Sequence, residues 1–179
     1  MLKLYDNIKQ LFEGTRSLSL FLIENEDFSH KDSESSDTYS CGYVSILLDG
    51  ERLLNISGTE HYFSDIRDEA FGLKVESGWN KFTILGKRRP RLEFGEAYYD
   101  TPDFSELWCY TSLDNCEIKV ELEVVEEELS DPYSEHVKSV KVLKAIIIKS
   151  PTKTVYIGQR DLAYVLIVTT DIRKMQFDV

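Results

Sequence analysis

Residues 117–125 read Glu-Ile-Lys-Val-Glu-Leu-Glu-Val-Val. Ile118, Val120, Leu122 and Val124 alternate with Glu117, Lys119, Glu121 and Glu123. A period of two is the signature of a β-strand with one face buried and the other in water. Glu126-Glu127-Glu128 ends this strand, and Asp131-Pro132 marks a turn. Residues 137–148 support two readings. Val137, Val140, Leu143 and Ile147 fit a helix opened by Asp131-Pro132. Val140, Val142, Ile146, Ile147 and Ile148 favour a strand, because β-branched side chains pack well on a pleated surface. Short turns at 150–153 and 158–161 lead into two more apolar runs, 154–157 and 162–170. Connections this short join antiparallel neighbours only, since parallel neighbours need a crossover of about a dozen residues or more. Residues 137–170 are therefore expected to form an antiparallel β-meander.

Upstream, Asp49-Gly50 separates the apolar runs 43–48 and 52–56. A type I′ hairpin turn needs positive φ at both central residues, and Asp-Gly supplies it. Further strands are expected at 17–24, 73–76, 81–85 and 91–98. The first thirteen residues read differently. Met1, Leu4, Tyr5, Ile8, Leu11 and Phe12 recur at spacings of three and four, which predicts an amphipathic helix over 1–13 stopped by Gly14. Residues 64–72 suggest a short helix with Ser64 as N-cap, acids in its first turns and Gly72 as its stop. Thr101-Pro102-Asp103, followed by Phe104, Leu107 and Trp108, suggests another, reaching about residue 110. The expected fold class is α+β: a mainly antiparallel β-sheet, an N-terminal amphipathic helix and one or two short helices, in a single domain over 1–179.

The chain carries 32 acidic and 21 basic residues, net −11. Such a charge disfavours nucleic acid over the main surface, because phosphate contacts need positive charge, and it repels anionic membranes. No stretch approaches the ~20 apolar residues of a membrane-spanning helix. Lys3, Asp6, Lys9 and Glu13 interrupt any secretory h-region, and three cysteines, Cys41, Cys109 and Cys116, form no even disulfide framework. These readings place the protein in the cytoplasm.

The motif search favours structural explanations. His30, His61 and His136 have no metal-pair spacing, and no Gly-rich strand–helix unit suggests a cofactor. The best local acid–imidazole cluster is His61 with Asp65 and Asp68; a metal-dependent hydrolase could use such groups, but acids also belong at a helix start. Ser150-Pro151-Thr152-Lys153 matches S-x-x-K, but it lies between two strand-like runs, where a hairpin turn explains it. Residues 87–91, Lys-Arg-Arg-Pro-Arg, are the only basic cluster, read as a solvated loop.

Charge asymmetry remains after this weighing. Residues 131–179 carry eight basic and five acidic groups, whereas residues 1–130 carry 13 basic and 27 acidic ones. Two acidic segments are candidate binding surfaces for a basic protein partner. One is the loop over 25–40, with Glu26, Asp27, Asp32, Glu34 and Asp37. The other is the outward strand face at Glu121 and Glu123, continuing into Glu126, Glu127 and Glu128. Electrostatic complementarity of this kind steers inhibitors and immunity proteins to their targets. The expected function is a small acidic binding protein that occludes a basic site on a partner. The rivals are a hydrolase at His61 and an assembly β-domain that adds its sheet edge to a partner.

Overall fold

The structure, a computed structural model, describes residues 2–23, 30–31, 37–78, 108–159 and 165–175. It is mainly antiparallel β, arranged in two sheets. The first holds β1 (Leu18–Ile23), β4 (Tyr43–Leu48), β5 (Arg52–Phe63), β6 (Asp68–Ser77) and β7 (Trp108–Leu113), in the order β6-β5-β4-β1-β7. The second holds β2 (His30–Lys31), β3 (Tyr39–Cys41), β8 (Lys119–Ser130), β9 (Val137–Lys149), β10 (Thr154–Gln159) and β11 (Leu166–Thr169), in the order β2-β3-β11-β10-β9-β8. Leu20, Val44, Ile46 and Ile56 from the first sheet meet Ile146, Ile148, Ile157 and Val168 from the second in one buried cluster. Helix α1 (Leu2–Phe12) adds Ile8 and Phe12 to that cluster and lies beside β8. Gly14, at φ 73°, ends α1 in the left-handed conformation that favours glycine.

The β4–β5 turn has Asp49 at φ 51° and Gly50 at φ 74°, the paired positive values of a type I′ hairpin. Asp49 does more than turn the chain. Its Oδ1 accepts the Arg16 and Ser17 amides, both at 2.9 Å, so the turn is tied to the entry of β1. These amides chiefly, with Arg52 assisting, hold the Asp49 carboxyl below its ordinary pKa.

Three expectations need correction. Residues 64–72 form no helix: β5 and β6 are a long hairpin paired from Leu54↔Ser77 to Phe63↔Asp68, and 64–67 are its turn. Ile66 is fully buried there, packed with Ala70, Leu129, Val140 and Val142, so the tip has a small core of its own. Gly72 is a strand residue at a close crossing of β6 over β9. A Cβ on it would lie 2.6 Å from Val142 Cγ1 and 3.2 Å from the Leu143 carbonyl oxygen. Second, residues 108–110 belong to β7, so no helix extends to residue 110; residues 101–107 lie outside the described set. Third, Glu126-Glu127-Glu128 continues β8 to Ser130. The ambiguity over 137–148 resolves to strand: β9 spans the whole run and pairs with β8 through a bulge at Lys144, between Glu123↔Ala145 and Val124↔Leu143. Strands β9, β10 and β11 are successive antiparallel neighbours. No helix among the described residues is long and apolar enough to cross a membrane.

Candidate functional site

Strand β8 lies at one end of the second sheet's order, paired with β9. Val120, Leu122 and Val124 pack against the core, which turns Glu121 and Glu123 outward into water. The five strand glutamates do not share one environment. Lys149 Nζ reaches Glu121 Oε1 at 2.6 Å, and Lys144 pairs with Glu127. The Ser139 hydroxyl donates to Glu126 Oε1 at 2.6 Å, and Lys141 stands opposite Glu126 in the ladder. Glu123 and Glu128 are exposed and have no ion-pair partner among the described residues. The lysines of β9 are the feature the sequence reading missed. Their spacing of three, at 138, 141 and 144, fits a helical face and not the period of two of a strand, so nothing local set them against the glutamates.

Of the acidic loop, Asp37 is exposed, while Glu26, Asp27, Asp32 and Glu34 lie outside the described residues. The Asp37 carbonyl accepts the Tyr110 hydroxyl at 2.7 Å. Burial, reinforced by the Asp37 and Tyr39 charges, holds the Tyr110 phenol above its ordinary pKa. The basic run 87–91 also lies outside the described residues.

The acids of the His61 cluster take structural partners in the fold. His61 stands on β5 opposite Ala70 and lines a cleft of about 430 Å³ with Ile8, Phe63, Leu73, Val140 and Val142. Asp65 sits in the hairpin turn, where Lys138 Nζ donates to it at 2.7 Å and lowers its pKa. Asp68 Oδ2 accepts the Ser130 amide at 3.0 Å, at the end of β8. Both acids thus fasten the β5–β6 tip to the β8–β9 tip. Arg67 over the Tyr133 ring, 5.3 Å from its centroid, adds a cation–π contact between the same two tips. Among the described residues no three His, Cys, Asp or Glu side chains converge on a position suited to a metal ion.

Ser150 and Lys153 are engaged in turn and inter-strand contacts. Ser150 Oγ accepts the Lys153 amide at 3.0 Å inside the β9–β10 turn, while Lys153 Nζ points to Thr111 Oγ1 at 3.2 Å. That serine and lysine do not form an acyl-transfer pair. The three cysteines are free thiols. Burial pushes the Cys41 pKa up to about 12, far from the range of a nucleophilic thiolate.

Comparison with known proteins returned no match: no family model, no curated protein and no solved structure aligns significantly with this chain.

Proposed function

We propose that this protein is a small acidic binding protein of the cytoplasm that captures a basic protein partner and occludes its basic site, in the manner of an inhibitor or immunity protein. One observation carries the reading: β8 offers Glu123 and Glu128 exposed and, among the described residues, without an ion-pair partner, beside Glu121 and Glu126, on a strand at the end of its sheet's order. The pairs that Glu121 and Glu127 make within the protein do not oppose this. The Lys149–Glu121 pair is exposed, and exposed ion pairs contribute about 0–1 kcal/mol, so a partner's cations can exchange with Lys149 at small cost, whereas the Lys144–Glu127 pair is largely buried and stays within the protein. The net charge of −11 adds long-range attraction for a basic surface. The hydrolase reading has less support, because Asp65 and Asp68 are engaged by Lys138 and the Ser130 amide rather than gathered around His61.

The test is affinity capture from the native host with two baits, the full chain and its Glu123→Lys/Glu128→Lys variant. Enrichment of one basic protein by the first bait and its loss with the second supports the reading. Equal capture by both removes β8 as the binding surface.

A further inference from the structure

We infer that β8 binds its partner by strand addition, taking an extended basic segment as one more strand of the second sheet onto its edge opposite β9, which no strand among the described residues pairs. This inference rests on the reading of β8 as an acidic binding surface and specifies the mode of recognition.

The backbone supplies the first argument. β8 is twelve residues long, and its one ladder partner among the described residues is β9. In an antiparallel sheet a strand directs alternate N–H and C=O groups to each side, so about half of those on β8 face away from β9. Helix α1 lies beside β8, but a helix satisfies its own backbone and offers no ladder. An edge of this length invites pairing unless the fold discourages it.

Charge selects the occupant. Two copies of β8 paired edge to edge would bring together strands carrying five glutamates and one lysine each, and like charges across a ladder are destabilising. The edge therefore resists a second copy of this chain. It favours a strand that carries cations, and β9 shows what such a strand looks like. β9 sets Lys149 on Glu121, Lys144 on Glu127 and Lys141 opposite Glu126. Among the described residues no lysine pairs with β8 from the side away from β9, and Glu123 and Glu128 are the acids that β9 leaves unmatched.

The spacing along β8 fixes the sequence pattern of the segment. Glu121 and Glu123 are two residues apart and share one face; Glu126 and Glu128 share the other, three residues further on. Cations directly opposite these four follow the pattern K-x-K-x-x-K-x-K. The pattern reads the same in both directions, so an antiparallel partner, the better ladder, meets all four acids.

The experiment uses the full chain and synthetic peptides of three designs with the same residues. The first carries lysines in K-x-K-x-x-K-x-K with threonine and valine between them. The second is the same peptide N-methylated at alternate backbone amides, in both phases. The third has its four lysines contiguous. Affinity is read by calorimetry, and backbone protection by hydrogen exchange of β8 in the full chain. Strand addition predicts that the patterned peptide binds, that β8 amides facing away from β9 become protected, and that one phase of N-methylation weakens binding about tenfold or more by removing two or three hydrogen bonds. Equal binding of all three peptides without β8 protection overturns strand addition and leaves the acidic-surface reading standing. Absence of binding by every basic peptide at low salt overturns both.

Discussion

Replacing Gly72 by alanine tests the crossing of the two hairpins, which positions β8 and β9 against the rest of the fold. The added methyl would lie 2.6 Å from Val142 Cγ1, where carbon atoms normally rest about 3.5–4.0 Å apart. Val142 cannot swing aside. It is β-branched, 5% exposed, and packed among Ile66, Ala70, Leu129 and Val140. The Leu143 carbonyl oxygen at 3.2 Å limits retreat in that direction as well. The strands must separate by about 1 Å, and overpacking of this kind costs about 1–3 kcal/mol. Opposing it, alanine reduces the freedom of the unfolded chain, a gain of about 0.4–1 kcal/mol where the native backbone accepts it. Gly72 has no positive φ, so that gain applies in full. The expected net loss is about 0–2.6 kcal/mol, read as a lower urea midpoint at unchanged slope. Val142→Ala costs stability by itself, but combined with Gly72→Ala the two losses should be less than additive, by a coupling of about 0.5 kcal/mol or more in the double-mutant cycle. A Gly72→Ala protein more stable than the parent, with no coupling to Val142, would refute the close crossing.

Three further outcomes follow from the packing and the charges. Gly50→Val should cost about 1–2 kcal/mol of urea stability through the left-handed backbone alone, since nothing lies within 4 Å of its Cβ position, and Gly50→Asn should cost less; equal values would contradict the type I′ turn. Phe12→Ala should cost about 3 kcal/mol or more, because Phe12 is 3% exposed in the main core cluster; a loss under 1 kcal/mol would remove α1 from the core. The Asp49 carboxyl has a folded pKa below its unfolded value near 3.9, so its contribution is present above that pH and is lost as pH falls through the folded pKa. Chemical denaturation between pH 2 and 6, a range chosen to span that of about 3.9, should show a shallower acid limb for Asp49→Asn than for the parent, and identical limbs would refute the role of the Arg16 and Ser17 amides.

What the sequence made legible was local. The alternation around Val120 and Leu122 reports one strand's own two faces, and Asp49-Gly50 reports its own backbone angles. Residues 64–72 show where local reading fails. Ser64, Asp65, Asp68 and Gly72 match helix-start and helix-stop chemistry, yet each of the last three answers to another segment: Asp65 to Lys138, Asp68 to the Ser130 amide, Gly72 to Val142. Alanine and isoleucine in that run fill the small core between hairpin tips, which no local period reveals. The same limit applied to the candidate surface. That Glu121 and Glu123 point to water followed from their period. That β9 neutralises Glu121 and Glu127 but not Glu123 or Glu128 depends on register and on the bulge at Lys144, both set by pairing between strands. The triple glutamate 126–128 remained in the strand because β9 sets Lys141, Val140 and Ser139 opposite it, with Lys144 reaching Glu127.

The acidic binding surface is tested most directly by association kinetics of the captured partner with the full chain and with Glu123→Lys/Glu128→Lys, measured by surface plasmon resonance across a salt series. Between 0.1 M and 1 M salt the Debye length falls from about 10 Å to about 3 Å, so steering by exposed charges is progressively lost. Folding stability should hardly change in the variant, because both side chains are exposed and contribute little to folding. The account predicts a parent association rate that falls steeply with salt, and a variant rate that is lower at 0.1 M and converges with the parent near 1 M. Association that is flat with salt and indifferent to the reversal at β8 would contradict it.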